Sequence, residues 1–158
     1  MAAPVRVAPD FAKKYPYGSA SATECAMNLV RAGDMVLARV ADALKSVGVS
    51  PAGGLVLGLL RDAGEPCAPG LISERLIVSR ATVTGILDTL AGKGLIRRTT
   101  NPADRRMVLV DLTPAGLRAA DRVRRVVHRA EAEWMSELSE RERTQLLSLL
   151  GKVQRSLA

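Results

Sequence analysis

The sequence predicts a mainly α chain with one small β-wing, and three observations predict it. Residues 71 to 113 read as two short helices joined by a tight turn, then two strand-like runs around a basic, Pro-containing loop. One long amphipathic segment precedes this stretch and two follow it, with apolar residues recurring at helical spacing. Cap residues followed by Pro, or by Glu at the third helical position, mark the starts of several helices.

Residues 1–20 hold three of the eight prolines and no helical period, so they are expected to form an extended arm. Within the arm, Lys13-Lys14 are flanked by Phe11, Tyr15 and Tyr17. Ser21 and Glu24 have the spacing of a capping box, opening a helix to about Lys45 with Leu29, Val36, Leu37, Val40 and Leu44 on its apolar stripe and Gly48 as its stop. Ser50-Pro51 opens the next helix, which Leu55, Val56, Leu59 and Leu60 should bury and Gly64 should close.

The loop from Glu65 to Gly70 leads into the first short helix of the pair. Ile77 falls in the turn between the two, where a β-branched residue argues against a positive φ. Ser79 stands where an N-cap is wanted, and Val83, Ile86, Leu87 and Leu90 give the second helix one apolar face. Gly92 and Gly94 bracket its end. Arg80, Thr82, Thr84, Gly85, Asp88 and Thr89 are left off the buried stripe.

A strand is expected from Leu95 to Thr99, a polar loop through Asn101-Pro102 and Asp104-Arg105-Arg106, and a second strand from Met107 to Leu112. Thr113-Pro114 then starts a helix to about Met135 whose outer face, with Arg118, Arg122, Arg124, Arg125 and Arg129, reads as solvated. Ser139 with Glu142 opens a last helix to about Ser156, striped by Leu146, Leu149, Leu150 and Val153. The expected organisation is an arm at 1–20, a first amphipathic helix at 21–48, a winged helix-turn-helix DNA-binding domain at 50–113 and C-terminal amphipathic helices at 114–158. In such a winged helix-turn-helix a helix can lie in a major groove while a charged hairpin tip reaches a minor groove.

Composition narrows the function. The 158 residues carry a formal charge of +7, which favours a polyanionic partner. Aromatics are only 3%, so no stacking platform for single strands can be assembled, and duplex DNA is favoured. No apolar run approaches the ~20 residues of a membrane span, and the N-terminus lacks a signal-peptide core, so a cytoplasmic protein without a membrane partner is expected. Cys25, Cys67 and the single His128 form no metal-ligand spacing. No cofactor is expected, and no nucleophile–base pair or phosphate loop points to an enzyme.

The stretch resembles the MarR family of bacterial transcription regulators. The matching residues are Glu74-Arg75-Leu76, Val78-Ser79-Arg80-Ala81-Thr82-Val83-Thr84, Leu87, Leu90, Lys93-Gly94-Leu95-Ile96-Arg97-Arg98, Asp104-Arg105-Arg106 and Leu112-Thr113. The resemblance implies a homodimer whose dimerisation helices are 21–48 and 114–158, on a pseudo-palindromic operator, acting as a repressor, with a small, often aromatic or phenolic, effector bound between the terminal-helix layer and the winged helix. It also places Arg106 in the minor groove with Asp104 positioning it. Two residues depart from the pattern: Gly85 stands where relatives often carry a long polar or basic side chain, and Ile77 where many have Gly.

The expected DNA-contacting residues are therefore Ser79, Arg80, Thr82, Thr84, Thr89, Lys93, Arg98, Asp104, Arg105 and Arg106. Arg97 and Arg98 alternate across a strand, so only one of them can face DNA. Asp104 is expected to hold the Arg106 guanidinium in a bidentate pair. Two rival readings are an oxidation sensor using Cys25 and a winged helix that binds only protein. Peroxide-sensing relatives place tyrosines near such a cysteine, and none follows Cys25 in its helix.

Overall fold

Local cap chemistry decides where most helices begin in the computed structural model, which describes residues 3–102, 104 and 106–157. The chain runs through α1 (Phe11–Lys14), α2 (Ala20–Leu44), α3 (Pro51–Ala63), α4 (Pro69–Leu76), α5 (Arg80–Gly92), β1 (Ile96–Thr100), β2 (Val108–Leu112), α6 (Pro114–Trp134) and α7 (Glu140–Leu157). Ser50, Ser79 and Thr113 each accept a hydrogen bond from the first turn of the helix that follows. The Ser139 N–H donates to Glu142 at 2.8 Å, completing the expected capping box of α7.

The α2 cap lies elsewhere than expected. Ser19, not Ser21, accepts from the Ala22 N–H, and α2 starts at Ala20. Glu24 is taken up by the arm: its carboxylate accepts from the Arg6 guanidinium at 2.8 Å and from the Val7 N–H at 3.0 Å. The Arg6 hydrogen bond, then that of Val7, holds its pKa below the ordinary carboxylate value. Asn28 pairs with Val5 like a strand residue, accepting from its N–H and donating to its carbonyl. The arm is thus bound along α2 and contains a turn of helix, rather than being simply extended.

The chain divides into two units, one up to Asp42 and one from Ala43 onward. The second holds the core. Val56, Leu57 and Leu60 of α3, Ile72 of α4, Val83, Leu87 and Leu90 of α5, Val110 of β2 and Val123 of α6 are all buried. Burying each such side chain stabilises the fold by about 1.5–3 kcal/mol before entropy is charged against it. Leu55 departs from expectation: it is 61% exposed, on the α3 face away from this core.

Strands β1 and β2 pair antiparallel, with Ile96 opposite Leu112 and Thr100 opposite Val108. Cys67 adds one rung at the far edge of β2, exchanging both backbone bonds with Val110. Burial raises the pKa of its thiol. The start of α6 is pressed onto the sheet entry. A Cβ at Gly116 would overlap the Leu95 carbonyl, and the Thr113 hydroxyl donates to the Gly94 carbonyl at 2.7 Å. No helix among the described residues is long and apolar enough to cross a membrane.

The terminal helices differ from this body. No described residue of α7 is buried, and in α2 only Leu44 is. Leu29, Val36 and Leu37 on α2, and Leu146, Leu149 and Val153 on α7, are exposed.

Candidate nucleic-acid interface

Helices α4 and α5 meet through a turn that the sequence argues against. Ile77 adopts φ 52 and ψ 48 and is the only non-glycine residue with positive φ among those described. The left-handed conformation costs roughly 1–2 kcal/mol for a residue with a Cβ. The turn compensates by closing the end of α4: the Ile77 N–H donates to Glu74, the Val78 N–H donates to Ser73, and the Ser73 hydroxyl donates to the Val78 carbonyl at 2.7 Å. Turn closure overrides the side-chain preference here.

Beyond this turn α5 is a half-buried rod. Val83, Leu87 and Leu90 face the core, while Ser79, Arg80, Ala81, Thr82, Thr84, Gly85, Asp88 and Thr89 are exposed. Its hydroxyls are engaged locally. Ser79 caps the Thr82 N–H and shares a proton with the Thr82 hydroxyl at 2.8 Å. Thr84 donates to the Arg80 carbonyl and Thr89 to the Gly85 carbonyl, each four residues back. A Cβ at Gly85 would meet nothing within 4 Å, so its small size is not a packing requirement of the fold. Beside it, a groove of about 280 Å³ runs between the start of α3 and α5, lined among others by Ser50, Gly53, Thr82, Gly85, Thr89 and Lys93.

Three cations have partners that sequence spacing does not reveal. The Lys93 ammonium, just past α5, donates to the Gly48 carbonyl. Arg98 pairs with Asp88 at 2.7 Å, fastening β1 to α5, and Arg97 pairs across the hairpin with Asp111 at 2.6 Å. Only one of these arginines was expected to face DNA; both are ion-paired, and they lie on opposite faces as a strand requires. At more than a third exposed, such guanidiniums contribute little to stability and chiefly fix geometry.

At the hairpin tip, Asp104 differs from its expected role. Its carboxylate accepts from the Arg106 backbone N–H at 2.9 Å, and its carbonyl accepts from the Met107 N–H. A short acidic side chain bonding two residues ahead shapes the turn. Asp104 therefore holds the backbone of Arg106 rather than its guanidinium. Arg106 is exposed, and Arg105, the other expected tip contact, lies outside the described residues.

The arginines of α6 are not a uniformly solvated face. Arg124 pairs with Asp62, Arg122 donates to the Ser46 carbonyl at 2.7 Å, and Arg61 reaches Asp121 of α6 at 3.0 Å. Cys25 of α2 is exposed. No cluster of three metal-ligating side chains occurs among the described residues.

The sequence profile of the MarR family matches residues 49–108, which span α3 to the start of β2. The chain is 36% identical over 104 residues to the HTH-type transcriptional regulator PecS of Dickeya dadantii, covering 65% of this chain and 63% of PecS. It is 32% identical over 112 residues to the HTH-type transcriptional repressor MdtR of Bacillus subtilis, covering 71% of this chain and 72% of MdtR. The chain spans 55% to 63% of the length of three such relatives, PecS among them. A solved structure of Bordetella bronchiseptica BpsR, whose DNA binding is regulated by 6-hydroxynicotinic acid, superposes with a TM-score of 0.74 at 27% identity over 83% of this chain and 98% of that one.

Proposed function

The chain belongs to the MarR family, and on that premise we propose that it is a homodimeric, sequence-specific repressor of transcription whose hold on duplex DNA is relaxed by a small aromatic ligand. The observation that carries this reading is the Arg98–Asp88 pair, which ties α5 to the β1–β2 hairpin so that one body presents two exposed basic ends, Arg80 and Arg106. Arg80 at the N-terminal end of α5 meets base edges, and Ser79, Thr82 and Thr84 approach phosphates or bases beside it. Arg106, with Arg105 next to it in sequence, enters the adjacent minor groove, where a narrow, negative cleft favours guanidinium. Asp104 sets the tip backbone. Thr89 bonds back to the Gly85 carbonyl on the exposed face of α5, and Arg98 ties the hairpin to that helix.

Dimerisation follows from the exposed stripes of α2 and α7, whose leucines and valines need an apolar cover that a second copy can supply. Two α5 helices of such a dimer address half-sites about one helical turn apart. The aromatic ligand is suggested by the likeness to BpsR and acts only if it prefers a dimer geometry that misplaces the two readers. This reading assigns the chain no catalysis, and it works in the cytoplasm, where its DNA lies.

The test is selection of bound duplexes from a random library, followed by sedimentation of the protein with and without the selected duplex. A dimer that binds one pseudo-palindromic duplex with steep salt dependence is expected. A monomer that binds as tightly, or no binding to any duplex at low salt, overturns the reading.

A further inference from the structure

Two cations, one just past α5 and one in α6, close on one short connector, residues 45–49, between α2 and α3. Gly48 sits there at φ 75, its N–H donating to the Leu44 and Lys45 carbonyls, and the Val47 N–H also donates to Leu44. Leu44 is buried, and Gly54 leaves the room it needs: a Cβ at Gly54 would stand 3.0 Å from the Leu44 Cδ1. Carbonyls just past a helix end lack intrahelical donors, so side-chain N–H groups can bond them. Ser46 and Gly48 present two of them. Arg122 of α6 donates to the Ser46 carbonyl at 2.7 Å, and Lys93, at the end of α5, donates to the Gly48 carbonyl.

We propose that Lys93 and Arg122 are positioning residues that clasp this connector from two sides, coupling the aim of α5 to α6 through the Ser46 and Gly48 carbonyls. The proposal rests on the DNA-binding reading above and deepens it by removing Lys93 from the set of DNA contacts. A lysine at this place in sequence invites assignment to a phosphate. Its ammonium instead forms a charge-assisted bond to a carbonyl 45 residues away, and that bond fixes the C-terminal end of the reader helix. Arg122 fixes the same connector from α6, so displacement of α6 relative to the connector is felt at α5.

The test compares Lys93→Met, Arg122→Met and the double variant with the parent, on a duplex selected by the parent protein. Affinity is read across a salt series, and amide hydrogen exchange at Val47 and Gly48 is read on the free protein. Each single variant is expected to weaken binding about threefold to tenfold with the salt slope unchanged, and to speed exchange at Val47 and Gly48. The double variant is expected to lose less than the product of the two, because both act through one segment. A phosphate-contacting lysine gives a different result: Lys93→Met then flattens the log–log salt slope by about one unit per subunit and leaves exchange in the connector unchanged. That outcome, or full affinity in both single variants, overturns the proposal. If the parent binds no duplex, the DNA-binding reading falls, and unchanged exchange in Lys93→Met still overturns the clasp on its own.

Discussion

Helix α5 and helix α7 carry the same kind of apolar stripe and meet opposite fates. In α5, Val83, Leu87 and Leu90 are 1–2% exposed. In α7, Leu149 is 50% exposed, Leu147 is 71% exposed, and no described residue is buried. Helical spacing states that a stripe exists; it does not state which body covers it. The α5 stripe finds α3, α4 and the sheet within its own unit, whereas the α7 stripe retains its apolar area for a second copy in the function proposed above.

The widest way to break that comparison is to remove one side of it. A chain ending after Met135 lacks α7 and its stripe entirely. It is expected to sediment as a monomer and to lose operator binding, while residues 43–135 still melt cooperatively. A dimer of unchanged stability would mean that α7 covers nothing in solution.

Single truncations sharpen the same contrast. Leu87→Ala empties a core site and is expected to cost roughly 2–5 kcal/mol of unfolding free energy, without changing the oligomer at high concentration. Leu149→Ala removes no core contact within one chain. It should leave the concentration-independent part of the melt within about 0.5 kcal/mol and weaken dimerisation. Denaturant melts at two protein concentrations separate the two effects. Equal losses for both variants would show that α7 is packed inside its own chain.

How much of this was legible depends on the range of the interaction. The caps at Ser50, Ser79, Thr113 and Ser139 could be read because a cap joins residues three apart. The cap of α2 was misplaced because Glu24 bonds to an arm 17 and 18 residues away, which no local pattern reveals. The exposed set Arg80, Thr82 and Thr84 could be read from the period of α5. The partners of Lys93 and Arg98 could not: opposite charges or a free carbonyl at the far end of a long contact leave no mark in spacing. Asp104 was half legible, since an acidic residue at a hairpin tip announces a turn but not which donor it takes.

The turn before α5 offers a smaller effect of opposite sign. Ile77 stands at φ 52 and is 91% exposed, so the residue gains little from burial. Ile77→Gly relieves the left-handed strain and is expected to raise stability by about 1 kcal/mol, offset in part by the larger unfolded-state entropy of glycine. The melting temperature checks this. A loss of stability would mean that the isoleucine side chain packs in the dimer.

The smallest expected effect concerns the arm, which is held along α2 by polar contacts rather than by a stripe. Glu24 accepts from Arg6 and from the Val7 N–H, and both bonds favour its charged form, so its pKa in the folded chain is lowered. A lowered carboxylate pKa stabilises the bound arm fully above the unfolded value. That contribution is lost as pH falls through the folded value. At neutral pH the arm is therefore held, and it loosens only in acid below the ordinary carboxylate range. Glu24→Gln keeps the size of the side chain and an acceptor oxygen but removes the charge, so it should loosen the arm at neutral pH, where the parent carboxylate is charged, and abolish the acid transition. Amide exchange at Val5 and Val7 reads both effects. Asn28 holds Val5 through bonds that do not titrate, so Val5 should keep part of its protection in acid when Val7 has lost its own. Simultaneous loss at both amides would show that the arm leaves α2 as one piece, with Glu24 as its principal anchor.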